Sequence, residues 1–159
     1  MRLYSVDAQG RHGVVFRSLE TERLLVSLGT RSVLGVPYNW ASMDLRRPAD
    51  RLEYTSTRRP PFGGRATGVI SVRVGEPTEP TELETWLTAR WGLHTRTLGR
   101  TLFLPNEHPP WQFHSAELVE VSGNLVPAAG VELGSAAMLR PLWTPGVRTT
   151  FGPPQRVSG

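Results

Sequence analysis

Residues 38–59 read YNWASMDLRRPADRLEYTSTRR, two runs suited to extended backbone, 38–46 and 51–59, joined by Arg47-Pro48-Ala49-Asp50. Proline presets the φ of a turn and aspartate favours tight reversals, so the stretch predicts a hairpin. In the second run Tyr54, Ser56 and Arg58 alternate, which puts all three on one face of a strand. Antiparallel sheet is therefore the starting expectation.

The flanking sequence repeats that pattern. Arg2–Ala8 alternates as a strand does, Gln9-Gly10 turns, and Arg11–Leu19 reads as the returning strand. Residues 21–34 carry Leu24, Leu25, Leu28 and Leu34 behind a cap candidate, Thr21, and predict a short amphipathic helix that Gly35 and Pro37 end. Past residue 59, Pro60–Gly64 reads as a loop and Ala66–Val74 as a strand. Glu79-Pro80-Thr81 opens a second helix, with Leu83, Trp86, Leu87 and Trp91 at helical spacing and Gly92 at its end. Segments 93–98 and 100–104 form a hairpin at Gly99. A proline-rich turn over 105–110 leads into a strand at Trp111–Val121, a short helix at Asn124–Ala129 and a last strand at Met138–Trp143.

Eight strands or so and two short helices, with 124–129 as a candidate third, predict one α+β domain over residues 1–143. Its sheet is expected to be mainly antiparallel and curved or barrel-like. Residues 144–159, rich in Pro, Gly, Thr and Ser, read as a mobile tail. The chain starts inside a sheet pattern, so Met1 either opens an abbreviated protein or follows missing sequence.

All 18 positive side chains are arginine, and there is neither lysine nor cysteine. That excludes a side-chain Schiff base, a phosphate-loop lysine, a thiol nucleophile and Cys-ligated zinc. Arginine replaces none of these, because its pKa above 12 leaves it protonated. A GC-rich genome explains the bias without selection for any chemistry. The net charge of +4 comes from arginines spread between Arg2 and Arg156, with no basic cluster and no nucleic-acid motif, so nucleic acid is not an expected partner. No apolar run approaches the roughly 18 residues of a membrane helix, and no signal-peptide pattern opens the chain. Cytoplasm is the expected location.

Three groups of residues suggest chemistry. Glu107-His108-Pro109-Pro110-Trp111 is held extended by its prolines, which presets the imidazole and indole. His108 there is a general-base or hydrogen-bonding candidate, or else part of a rigid loop whose Trp111 plugs the core. If the Tyr54/Arg58 face lines a cavity, Arg58 can grip a carboxylate with Tyr54 beside it; if it faces water, these are ordinary strand residues. His94, His108 and His114 have no metal-ligand spacing, and no GxSxG elbow supports Ser-His-Asp catalysis.

Several segments together resemble the YqjF-like family of largely uncharacterised bacterial proteins. They are Pro37–Met43, Tyr54–Arg58, Glu84–Trp91, Gly99–Leu102, and His108–Trp111 followed by Ala116-Glu117. Members of that family are similar in fold to acetoacetate decarboxylase, whose curved antiparallel sheets enclose a cavity and whose chemistry runs through a lysine imine. Here no lysine is present, so the resemblance implies the cavity fold and no catalytic residue is carried over. Family members also have more sequence before the strand that begins here at Arg2. A missing segment would leave a sheet edge open and favour self-association through residues 2–19.

The resulting expectation is a small-molecule-binding protein for a carboxylate or carbonyl ligand, with Tyr54, Arg58, His108, Trp111 and Glu117 as binding residues. No metal or cofactor is implied. The alternatives are an enzyme moving protons with Glu117, His108 or Tyr54 on a keto acid or lactone-like substrate, and a structural protein whose interior is filled by side chains.

Overall fold

The computed structural model describes residues 1–61, 64–132, 134–135 and 139–157. It opens on the expected hairpin, β1 (Arg2–Val6) against β2 (His12–Phe16), with Ser5 opposite Gly13. Asp7 closes the reversal. Its Oδ1 accepts the backbone N–H groups of Gln9 at 3.0 Å and Arg11 at 2.9 Å, standing in for a turn carbonyl.

β3 (Leu19–Thr21) precedes α1 (Leu24–Gly29), which runs on into one π-helical turn over residues 30–34. The helix starts later than its leucine spacing suggests because Thr21 pairs with Trp40 in a sheet instead of capping. Gly35 ends the turn at φ 68°, and a Cβ there would lie 2.2 Å from the Arg96 carbonyl oxygen. Glycine is required at that crossing.

β4 (Tyr38–Arg46) and β5 (Leu52–Arg58) form the central hairpin, with Leu45 opposite Tyr54. β6 (Thr67–Pro77) follows, then α2 (Glu82–Thr88) and the hairpin of β7 (Gly92–Thr97) with β8 (Arg100–Glu107). β9 (His114–Gly123) begins three residues after Trp111 because its partner β6 ends opposite His114, at Pro77. α3 (Leu125–Ala128) matches the short helix expected over 124–129, and β10 (Leu142–Trp143) is shorter than the last expected strand, residues 139–141 lying outside any strand. Met138, where that strand was expected to start, and residues 62–63 of the Pro60–Gly64 loop lie outside the described residues. In segment 144–159, β11 (Thr150–Phe151) and β12 (Gln155–Arg156) both pair with β8.

The strands make two sheets. One runs β1-β2-β7-β8-β11, with β12 also on β8; the other runs β10-β9-β6-β5-β4-β3. Every pairing is antiparallel except β2–β7 and β3–β4. The β6–β9 register shifts after Ser71 and again after Val74, and such bulges bend a sheet. The architecture is α+β, with mostly antiparallel, curled half-barrel sheets and few short helices. Val14, Val36, Leu93 and Leu104 form one buried cluster, with Phe16, Leu34 and Tyr38 packed on it. That cluster belongs to the first sheet and the segment over 34–38, and Ala41, Leu52 and Val72 are buried in the second sheet. Among the described residues no helix is long and apolar enough to cross a membrane.

Candidate functional site

Register builds a cleft on the second sheet. Leu45 lies opposite Tyr54, Tyr54 opposite Ile70 and Ile70 opposite Val121, so one row crosses four strands on one face. The next row is Met43, Ser56, Gly68 and Gly123. Gly68 leaves the space into which α3 sends Leu125; a Cβ there would sit 2.4 Å from Leu125 Cδ1. Met43, Leu45, Tyr54, Ser56, Ile70 and Leu125 line a cleft of about 250 Å³. Its wall is apolar; Leu45, Ile70 and Val121 are exposed, whereas Ala41, Leu52, Arg58 and Val72 further along the same face are buried. The opposite face carries Asp44, Thr55, Ser71 and Arg73 and is mainly polar.

Glu22, Asp44 and Thr55 also border the cleft, and Tyr54 and Ser56 bring hydroxyls to it. Trp143 Nε1 donates to the Tyr54 hydroxyl at 3.0 Å, which occupies a lone pair of the phenol and leaves its own proton to be donated. Ser56 Oγ is buried and has no hydrogen-bond partner among the described residues. A buried hydroxyl left in that state costs about 1–3 kcal/mol.

Arg58 shares the face of Tyr54 and Ser56, as their alternation predicts, and its guanidinium is buried. It already holds a carboxylate. Its Nε and Nη2 donate to Glu20 Oε1 at 2.9 and 2.7 Å, and Nη2 also donates to Ser18 Oγ at 2.6 Å. Asn39 Nδ2 donates to the same Ser18 oxygen at 3.1 Å. The row beyond Ser56 is therefore a polar cluster in which the arginine charge is neutralised by its own chain.

The remaining expected residues lie apart from the cleft. His108 stacks on Trp91 with ring centroids 4.7 Å apart and meets Trp111 at 5.2 Å, while its Nδ1 lies 2.8 Å from the Pro109 carbonyl oxygen. Neither His108 nor Trp111 lines the Tyr54 cleft. Glu117 lies opposite Arg73, on the face away from Tyr54, and accepts a hydrogen bond from Arg73, which also donates to Asp50 at 2.6 Å. The apolar neighbours Met43, Leu45 and Ile70 escaped sequence reading, although sliding the 38–59 hairpin into register would have found the first two.

The family model of DUF2071, described as an uncharacterized conserved protein, matches residues 1–148. The chain is 31% identical over 129 residues to the uncharacterized protein YqjF of Bacillus subtilis (strain 168), which covers 79% of this chain and 52% of that relative. It thus spans about half the length of the curated relative it matches. No solved structure matches.

Proposed function

The chain belongs to the DUF2071 family of YqjF-like uncharacterised conserved proteins, and from that premise we propose that it binds a small apolar molecule bearing a carbonyl group in the Tyr54 cleft. The observation that carries this reading is the orphaned Ser56 hydroxyl in an apolar wall, one residue pair from the Tyr54 proton. A ligand carbonyl accepting from either group recovers hydrogen bonding that the cleft lacks when empty. A carbonyl suits the site better than a carboxylate, because the Arg58 charge is already met by Glu20.

In this reading the half-barrel is of the acetoacetate-decarboxylase-like type, located in the cytoplasm, with its cavity used for binding. With no lysine in the chain, the bound carbonyl forms no side-chain imine. Proton-transfer catalysis is the weaker reading, since Glu117 is paired to Arg73 and His108 is stacked on Trp91 with Trp111 tilted against it.

Titration with 2-heptanone, heptane and heptanoate, followed by tryptophan fluorescence through the Trp143–Tyr54 contact, tests this. The ketone should bind most tightly. Tyr54→Phe and Ser56→Ala should each weaken it by roughly 2- to 10-fold, the worth of one neutral hydrogen bond. Heptane binding as tightly as heptanone, or both variants binding it unchanged, refutes the reading.

A further inference from the structure

Two residues of the first sheet, Ser5 and His94, and Asp7 of the turn between β1 and β2 are arranged for a different chemistry. β2 lies between β1 and β7, and His94 of β7 reaches across it. The crossing is open because residue 13 is glycine; a Cβ there would lie 2.9 Å from His94 Nδ1. Nδ1 consequently comes within 2.8 Å of Ser5 Oγ on β1. At the other end of the ring, Nε2 lies 3.2 Å from Asp7 Oδ2.

The partners set the tautomer. Burial works to raise the Asp7 pKa, but the backbone N–H and guanidinium of Arg11, with His94, outweigh it and hold the carboxyl well below the usual range. An ionised Asp7 accepts, so Nε2 carries the proton and Nδ1 presents a lone pair to the Ser5 hydroxyl. His94 is buried, and Phe103 packs on its ring at 5.0 Å, fixing the direction of that lone pair. Ser5, Asp7 and His94 sit on the wall of a cleft of about 440 Å³ that Arg100, Thr101 and Arg156 also line. Neither Arg100 nor Arg156 makes an ion pair among the described residues. A lock on the β1–β2 hairpin accounts for the Asp7–His94 bond. It does not account for a serine hydroxyl placed on the remaining nitrogen, over a glycine gap and beside a cationic cleft.

We propose that Ser5, His94 and Asp7 form a hydrolytic site for small esters that carry an anionic group. The roles are those of a serine-histidine-aspartate triad with the two ring nitrogens exchanged, and such triads are recognised by geometry rather than chain order. Ser5 Oγ bonds to the ester carbonyl carbon as its proton passes to His94 Nδ1, and Asp7 stabilises the imidazolium. The tetrahedral adduct collapses by breaking the ester C–O bond, and the departing alkoxide takes the Nδ1 proton and leaves as the alcohol. Water then gives a proton to Nδ1 and adds to the acyl carbon; Ser5 is expelled, recovers that proton, and the acid is released. Arg100 and Arg156 supply positive potential for the anionic group.

A fluorophosphonate probe on the full chain tests the site independently of the Tyr54 cleft. The folded protein should be labelled on the tryptic peptide 3–11, whose single serine is Ser5. The same protein in urea should not be labelled. Gly13→Ala, which pushes the imidazole off Ser5, should slow labelling at least 10-fold with an unchanged circular dichroism spectrum. Hydrolysis of the 4-nitrophenyl half-ester of succinate should disappear in Ser5→Ala, and Arg100→Ala/Arg156→Ala should raise KM for that half-ester but not for 4-nitrophenyl acetate. No adduct on peptide 3–11 in the folded chain, equal labelling in urea, or full activity in Ser5→Ala overturns the proposal.

Discussion

Arg58 is the residue whose direction the sequence reveals and whose partner it hides. Alternation with Tyr54 and Ser56 places it on the cleft face, but Glu20 reaches it only through the parallel pairing of β3 with β4, a long-range register that no local pattern encodes. The side chains are 2% and 16% exposed, so the pair is removed from water and each charge depends on the other. Arg58→Ala should therefore cost about 3–5 kcal/mol in urea unfolding, because Glu20 stays buried without its cation. Arg58→Met combined with Glu20→Gln should recover most of that loss, and a double variant no more stable than Arg58→Ala would show that the hydrogen bonds to Ser18 matter more than the charges. Arg90 presents the contrasting case. It lies over Trp86 at 3.8 Å with Nε and Nη2 lacking partners among the described residues, so stacking alone holds it.

At the scale of elements, local chemistry was legible where it closes on itself. The Thr81-x-x-Glu84 spacing is a capping box, and α2 starts there: Glu84 N–H donates to Thr81 Oγ1 at 3.3 Å, and Thr81 N–H donates to Glu84 Oε2 at 2.7 Å. The three hairpins at Asp7–Gly10, 47–51 and Leu98–Gly99 were legible for the same reason, since turn residues announce them. The far partner of Glu84 was not: Arg140 Nε donates to its Oε1 at 2.6 Å from 56 residues away. That guanidinium foremost, with the Thr81 backbone N–H, lowers the Glu84 pKa from 4.5 to about 2. A depressed carboxylate pKa stabilises the fold above the unfolded value, and the gain is lost as pH falls through the folded one. Wild type should therefore be more stable than Glu84→Gln at pH 5 and above, with the gap in Tm closing between about pH 4.5 and 2. A gap that stays constant over that range would mean that Glu84 contributes shape and not charge.

The whole molecule is more open than its mass suggests. Its accessible surface is 10376 Å², whereas a compact monomer of 17.6 kDa exposes roughly 7,900 Å². Antiparallel alternation predicted curved sheets, but it says nothing about what covers them, because strand period reports which face is apolar and not whether a second layer meets it. Part of the excess is the uncovered row around Tyr54, and part is at the sheet edges. β1 ends the first sheet with no strand on its outer side among the described residues, and Leu3 and Val6 are 46% and 58% exposed there. An edge with free backbone groups and apolar side chains favours pairing with another chain, and the expected partner is a second copy joined edge to edge through residues 2–19. Sedimentation across a concentration series should show wild type associating. Leu3→Lys with Val6→Lys should keep it monomeric by bringing like charges together at the edge, while Ile70→Lys, in the other sheet, should leave association intact. If Ile70→Lys alone abolishes it, the copies meet through the open cleft face instead; a chain that remains monomeric throughout shows that the β1 edge is inert.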